Sequence, residues 1–262
     1  MTLIRALCVL AVLVIAREAA AHDTYLLPLK VAQRAPIIVQ MTSAERFPAI
    51  EYGPKLARIA RTLAVEPDRG ATLTPMAESE SAMRLSFRAR RAGTYALALA
   101  LQPHDIDLAP DKVAEYFAEI DAPMDVRAAY EALPEPRTWR ETYTKYAKSF
   151  VCLRLCAGDA LTRSSGLELE FVLGAKRIGG QPTFVLLHHG EPLADQPLSL
   201  FDRGGNRTAL RTDKDGAVAV SLPKTGGVLL STVVVTTQAN ADDRFVSAFA
   251  TLTFDARILA AR

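Results

Sequence analysis

The chain contains 262 residues, of which 50% are hydrophobic and 23% are charged. This is the composition of a globular protein, and it excludes a disordered, collagen-like or low-complexity chain. The 31 basic and 29 acidic residues give a net charge of +2. Because no excess of basic residues is available to bind a phosphate backbone, we expect no nucleic-acid partner.

Residues 1–21 contain the three parts of a secretory signal peptide in the usual order. Arg5 provides the positive start, residues 6–16 form an apolar run, and residues 19–21 are three alanines suited to cleavage. The apolar run is too short to form a stable transmembrane helix. We therefore expect cleavage after Ala21, a periplasmic location and no membrane anchor in the processed protein.

The first part of the processed chain is rich in short strands with turn residues between them. Such a pattern is typical of a sandwich or barrel. A turn is predicted at 91–93, between two apolar segments. The predicted strands are 25–27, 37–41, 83–88 and 94–101.

The hydrophobic pattern then changes to helical spacing. Apolar residues recur at this spacing from Val113 to Ile120, and Asp111 is expected to cap the helix that contains them. Residues 124–133 are predicted to form a second short helix. Prolines at positions 134 and 136 then interrupt the chain.

Aromatic residues follow at positions i, i+4, i+7 and i+11, which fall on one face of a helix. This spacing predicts a helix over 137–151, and with the preceding segments it predicts a helical insert at about 110–151. A face with this spacing is usually buried, so we expect its rings to be core rather than a ligand platform. The four residues are Trp139, Tyr143, Tyr146 and Phe150.

The last part of the chain returns to short strands separated by turns, notably at 190–192 and 213–216. This spacing is typical of an Ig-like Greek-key sandwich. We therefore predict a mainly β protein of two β-sandwich domains, at 22–160 and 166–256, with the helical insert between their strands. The predicted C-terminal strands are 167–173, 183–189, 197–201, 217–222, 228–236 and 246–254.

Two cysteines, Cys152 and Cys156, remain after removal of the signal peptide. On a straight strand their Cα atoms would be about 13 Å apart, which is too far for a disulfide. On a helix or at a bend they could meet. An oxidising compartment would permit the bond, and the sequence leaves the pairing open.

Cleavage after Ala21 would make His22 the first residue of the processed protein. Its α-amino group and its imidazole Nδ1 could then chelate one metal ion, as in the histidine brace of exported copper proteins. The two groups have ordinary pKa values of about 7.7–8 and about 6.5, so both nitrogens are available near neutral pH. Imidazole suits nickel, copper and zinc.

A metal site at His22 needs further ligands, and the chain has three other histidines. His104 is the expected second ligand, with Asp23 or Asp105 as alternatives. His188 and His189 are adjacent, so on a strand they would point to opposite faces and could not easily share an ion. Their position beside a turn predicts solvated side chains.

The common catalytic motifs are absent from the sequence, including the nucleophile elbow, the P-loop, H-E-x-x-H and G-x-G-x-x-G. We therefore expect a non-enzymatic protein. The segment 213–216 has some likeness to a calcium loop, but a tight turn explains it better.

Several segments are informative when they are taken together and in order: residues 22–26, 93–95, 140–148, 190–194, 212–216 and 250–254, together with Phe117. They resemble the domain-of-unknown-function family 4198, exported bacterial proteins associated with nickel or cobalt uptake. The resemblance implies a periplasmic protein that binds nickel or cobalt and passes it to an inner-membrane transporter. The alternatives are a copper protein with a histidine brace, and a metal-free adhesion or carbohydrate-binding sandwich with exposed Trp139 or tyrosines.

Overall fold

The computed structural model describes residues 22–28, 32–33, 35–66, 70–237 and 244–260. The predicted signal peptide at 1–21 lies outside the described residues. Within them the chain forms eighteen strands, arranged in three sheets, and three α-helices. The predicted fold class, mainly β with helices inserted between strands, is confirmed.

The two longest strands, β10 (Trp139–Leu153) and β18 (Phe245–Asp255), lie in the middle of the largest sheet. Single 3-10 turns occur at Leu56–Arg58 and Ala160–Thr162. The helices are α1 (Pro110–Glu119), α2 (Met124–Glu131) and α3 (Arg257–Ala260). The strands are β1 (Asp23–Pro28), β2 (Ala32–Gln33), β3 (Ile37–Ala44), β4 (Ile59–Val65), β5 (Gly70–Ala71), β6 (Thr74–Glu78), β7 (Met83–Phe87), β8 (Gly93–Leu101), β9 (His104–Leu108), β10 (Trp139–Leu153), β11 (Leu169–Ile178), β12 (Gln181–His188), β13 (Glu191–Pro192), β14 (Pro197–Asp202), β15 (Arg207–Arg211), β16 (Ala217–Ala219), β17 (Gly227–Val235) and β18 (Phe245–Asp255).

A ten-stranded sheet, here called the central sheet, has the order β15-β14-β17-β18-β10-β8-β4-β5, and β2 and β9 also pair with β10. The N-terminal sheet has the order β1-β3-β7-β6. The C-terminal sheet contains β11, β12 and β13, with β16 beside β12. β10 and β18 pair in parallel, so strands from both sides of the predicted boundary at 160–166 meet in one continuous sheet.

The core occupies both faces of the central sheet. In β8, Tyr95, Leu97 and Leu99 pack toward the N-terminal sheet, whereas Ala96 and Ala98 pack toward the C-terminal sheet. All nine residues of β8 are buried, as an unbroken apolar run predicts for a strand that is covered on both faces. The central sheet is therefore the middle layer of a three-layer structure.

The predicted helical insert is confirmed for residues 110–131, which contain α1 and α2. α1 begins at Pro110, and Asp111 lies in its first turn rather than at the cap, where its negative charge still favours the helix N-terminus. Both helices pack against one end of the central sheet. Their buried residues include Phe117 and Tyr130, whose rings contact Trp139 on β10.

The prediction of a helix over 137–151 is wrong, because these residues form most of β10. Side chains alternate between buried and half-buried from 139 to 144, with strand-favouring Thr142 and Thr144 among them. The spacing i, i+4 is even and therefore also fits one face of a strand. β18 and β9 lie beside this segment and satisfy its backbone, which local sequence does not reveal.

The aromatic residues of β10 are core, as predicted, but they divide between the two faces of the strand. Trp139 and Tyr143 pack beneath α1 and α2, whereas Tyr146 and Phe150 pack toward the C-terminal sheet. Trp139 has no exposed surface, and its ring stacks on Phe245 with centroids 4.2 Å apart. It therefore offers no surface on which a sugar could stack.

Cys152 and Cys156 form a disulfide, with Cα atoms 5.2 Å apart. The chain bends sharply after β10, where Arg154 has a φ of 64° and the N–H of Leu155 donates a 2.7 Å hydrogen bond to the carbonyl of Leu153. This bend brings together two sulfurs that a straight strand would hold apart.

Candidate functional site

His22 immediately precedes β1, and two parts of the fold hold it in place. In the N-terminal sheet, the next residue, Asp23, pairs with Ala44 of β3. From the central sheet, Lys145 Nζ of β10 donates a 2.7 Å hydrogen bond to the carbonyl oxygen of His22. The predicted ligand is therefore fixed between two sheets rather than carried on a free end.

The imidazole of His22 is oriented by two neighbours. Its ring stacks on Tyr52, with centroids 5.2 Å apart and an angle of 21° between the planes. Nε2 lies 3.4 Å from Oε1 of Glu45, and the side chain is 13% exposed. Nδ1 is buried and has no hydrogen-bond partner among the residues that the structure describes. One ring nitrogen thus lies near a carboxylate, and the other has no hydrogen-bond partner among the described residues.

Asp23 lies within electrostatic range of His22, but its side chain is committed to another contact. Its carboxylate accepts a 2.5 Å hydrogen bond from the hydroxyl of Ser231 on β17, and burial raises its pKa. It borders a cavity of about 130 Å³ that is also lined by Glu119 and Arg207. Burial raises the pKa of Glu119, which is close enough to His22 to interact with it electrostatically. Acidic side chains thus lie near the start of β1, together with the cationic side chain of Arg207.

Lys145 is a buried cation beside His22 and Asp23. It was not identified from the sequence, because a helix was predicted over 137–151 and the alternation of a strand was not recognised. Its ammonium nitrogen lies 5.2 Å from the ring centroid of Tyr143 and 5.3 Å from that of Phe249. Burial lowers the pKa of Lys145 to about 8. Burial lowers the pKa of His104, and the positive charge of Lys145 adds a smaller contribution, so Lys145 is near both predicted histidine ligands.

His104 and Asp105 begin β9 and are committed to other contacts. The ring of His104 lies edge-on to Tyr143, with centroids 5.5 Å apart, and partial burial is the main cause of its lowered pKa. Asp105 accepts a 2.7 Å hydrogen bond from Thr142 and lies 3.4 Å from the guanidinium of Arg244. Asp105 therefore already has a cationic partner.

The four predicted ligands do not form one cluster. Among the described residues, the one group of three or more potential ligand side chains with atoms within 4.8 Å of one another consists of Glu168, His188 and His189. The predicted residues His22, Asp23, His104 and Asp105 are not part of it.

The expectation that His188 and His189 point to opposite faces is wrong. β12 ends at His188, and His189 and Gly190 form the tight turn to β13, with φ values of 51° and 85°. Positive φ at both central residues is the signature of a two-residue hairpin turn. It swings the second ring beside the first, so that their centroids are 4.3 Å apart. Burial and the charge of His189 lower the pKa of His188.

Together, these features define a mainly β protein of three stacked sheets, with a histidine fixed at the start of its first strand. The chain belongs to the family described as domain of unknown function (DUF4198), whose model matches residues 19–236. The family resemblance seen in the sequence is confirmed. No curated protein matches the chain. None of the described helices is both long and apolar enough to span a membrane.

Three solved structures show distant likenesses. The D0-D1 domain of intimin is 13% identical, with 88% of this chain and 97% of that chain covered and a TM-score of 0.22. The BSP domain of a biofilm associated protein is 12% identical, with coverages of 88% and 29% and a TM-score of 0.18. Native alpha-2-macroglobulin from Escherichia coli, domains MG0-NIE-MG1, is 11% identical, with coverages of 85% and 96% and a TM-score of 0.20. TM-scores this low carry no argument about fold or function.

Proposed function

We propose that this protein is an exported, non-enzymatic binding protein for a divalent transition-metal ion, and that it passes nickel or cobalt to an inner-membrane transporter. The observation that carries the proposal is the state of the His22 imidazole. Its Nδ1 has no hydrogen-bond partner among the described residues, and its Nε2 lies 3.4 Å from a carboxylate oxygen of Glu45.

This arrangement suits a metal ligand. A histidine that binds a metal through one ring nitrogen usually has its other nitrogen hydrogen-bonded to a carboxylate or carbonyl, which fixes the ring and raises its basicity. The carboxylate of Glu45, 3.4 Å from Nε2, is the group near His22 that could take that position when a metal ion is bound. After cleavage at Ala21, the α-amino nitrogen of His22 lies on the same residue as Nδ1, and the two nitrogens close a chelate ring around the ion.

The surroundings of His22 favour an exchangeable site. Glu45 and Glu119 place negative charge near the imidazole, which attracts a cation. Lys145 opposes them from the side of the His22 carbonyl. Two nitrogen ligands leave coordination positions open for water or for a side chain of the receiving transporter, as transfer requires, whereas a closed four-ligand cage would retain the ion.

The choice of ion rests on chemistry and on the family resemblance. An amine and an imidazole suit the later transition metals, and copper binds such a set more tightly than nickel or cobalt. The association of the family with nickel or cobalt uptake favours these two ions over copper. The Cys152–Cys156 disulfide supports export, because such bonds persist in oxidising compartments.

The test compares three forms of the secreted protein, each with its N-terminus established by mass spectrometry. The first begins at His22, the second has one extra alanine before His22, and the third carries His22→Ala. The extra alanine keeps the imidazole but converts the amine to an amide. We expect nickel and cobalt affinity, measured by calorimetry, to fall by more than about tenfold in both altered forms. Equal affinity in the first two forms would remove the proposed chelate.

A further inference from the structure

The hairpin between β12 and β13 brings two histidines and a carboxylate together. Nε2 of His188 lies 3.8 Å from Oε1 of Glu168, and Nε2 of His189 lies 3.9 Å from the same oxygen. An ion bound at about 2.1 Å from each ligand atom requires those atoms to be no more than about 4.2 Å apart. Both distances to Glu168 already satisfy this limit.

The backbone determines this convergence. Leu169 pairs with His188 across the β11–β12 ladder, and the N–H of His189 donates a 2.6 Å hydrogen bond to the carbonyl of Glu168. Glu168 therefore lies opposite the turn, while the positive φ of His189 directs its ring toward the same side as that of His188. His188 is the last residue of β12, Glu168 immediately precedes β11, and His189 lies in the turn that follows β12.

A hydrogen bond from β10 also holds the carboxylate of Glu168 in place. Oε2 of Glu168 accepts a 2.7 Å hydrogen bond from the hydroxyl of Tyr146, a buried residue of β10. Its Oε1 is the oxygen that faces the two imidazoles. A carboxylate anchored through one oxygen, with the other directed at two histidines, is the arrangement that supporting residues give to metal ligands.

We propose that Glu168, His188 and His189 form a second binding site for a divalent transition-metal ion, separate from His22. Two imidazoles and one carboxylate suit zinc, nickel and cobalt, whereas calcium and magnesium prefer oxygen ligands alone. The side chains are 37%, 29% and 69% exposed respectively, so the ion would keep bound water and exchange readily. The proposal does not rest on the function proposed for His22.

The test uses the secreted protein carrying His22→Ala, which removes the proposed N-terminal chelate. We expect this protein to bind one zinc or nickel ion in calorimetry. Adding His188→Ala or Glu168→Gln weakens that binding by more than about tenfold, and adding Tyr146→Phe weakens it by about tenfold. Glu191→Gln is the control, because it removes the same charge from an exposed position of the same hairpin and leaves the affinity unchanged.

A second measurement guards against misfolded variants. In the His22→Ala protein, zinc should shift the imidazole NMR signals of His188 and His189 and leave that of His104 in place. Absence of any bound ion in this protein, or unshifted signals of both histidines, would overturn the second site. If His22→Ala alone removes all bound metal, the second site is wrong but the N-terminal proposal still stands. If the His22→Ala protein still binds an ion and the added His188→Ala removes it, the second site is established by itself.

Discussion

Nζ of Lys148 lies 2.6 Å from Oε2 of Glu170, and the two side chains are only 1% and 0% exposed. The pair joins β10 of the central sheet to β11 of the C-terminal sheet. Burial alone would raise the pKa of Glu170, but the ammonium of Lys148 and further hydrogen bonds keep it below its usual value. Those hydrogen bonds come from the backbone N–H groups of Ser165, Gly166 and Leu167 and from the hydroxyl of Ser164.

Substituting either residue of this pair should lower the free energy of unfolding, and substituting Glu170 should lower it more. Lys148→Met leaves a carboxylate that keeps its other donors, and we expect a loss of about 3 kcal/mol in the free energy of unfolding. Glu170→Leu leaves a buried ammonium and several unpaired donors, and we expect about 5 kcal/mol. Urea unfolding measures both, with exposed Lys224→Met as a control expected to change stability by less than about 0.5 kcal/mol. The reverse order would contradict the asymmetry of the hydrogen bonds.

Glu45 should affect metal binding without being a ligand. Glu45→Gln removes the charge that faces Nε2 of His22, and we expect nickel affinity at His22 to fall by about 10- to 100-fold. Calorimetry on protein that begins at His22 measures the change. Glu51→Gln is the matched control, because Glu51 lies in the same segment between β3 and β4. Its amide oxygen can still accept the hydrogen bond from the N–H of Glu45. Equal losses in both variants would point to a general charge effect instead.

The disulfide should stabilise the fold by a modest amount. It closes a short loop, with a sequence separation of 4 between the cysteines, for which the chain-entropy model gives about 2 kcal/mol. We expect the double variant Cys152→Ala/Cys156→Ala to lose about that much unfolding free energy in urea. A reductant should lower the stability of the unsubstituted protein to a similar extent and leave the double variant unaffected. A reductant effect that persists in the double variant would refute this account.

We expect Asp213 to stabilise the fold near neutral pH and to lose this effect in acid. Its Oδ1 accepts hydrogen bonds of 2.9 Å from the N–H groups of Ala217 and Asp215, and these lower its pKa. Because the folded pKa lies below the unfolded value, the stabilisation is present above the unfolded pKa and is lost as the pH falls through the folded pKa. Asp213→Asn should therefore be less stable than the unsubstituted protein near pH 6 and equal to it near pH 2, in urea unfolding at each pH.

The charge-matched control for this effect is Asp215→Asn. In the unsubstituted protein, the carboxylate of Asp215 accepts hydrogen bonds from the side chain of Lys214 instead of from backbone N–H groups. We expect Asp215→Asn to change the free energy of unfolding near pH 6 by less than Asp213→Asn does. The same contacts confirm the prediction that residues 213–216 form a tight turn: the N–H of Gly216 donates to the carbonyl of Asp213, and Gly216 has a φ of 68°.

Local sequence predicts those elements whose pattern fits only one kind of structure. The unbroken apolar run of β8 and the helical spacing of α1 are examples. β10 was not predictable in this way, because the even spacing of Trp139 and Tyr143 fits a helix and a strand equally well. The deciding contribution is the pairing with β18, which lies far away in sequence.

The candidate sites show the same division. His22 was chosen as a candidate because it follows a predicted cleavage site, but the surroundings of its ring, Glu45 and Tyr52, depend on the fold. The convergence of His188 and His189 depends on the sign of one backbone angle. A His-Gly pair between two strands was the available signal, since it permits a turn with two positive φ values.

The position of β18 has a consequence for the order in which the molecule can assemble. This strand is inserted between β10 and β17 and pairs with both along most of its length. Until residues 245–255 are available, the central sheet exists as two half-sheets with open edges, which are prone to mispairing. In a polypeptide that emerges N-terminus first, the middle layer therefore cannot close until residues 245–255 have been synthesised.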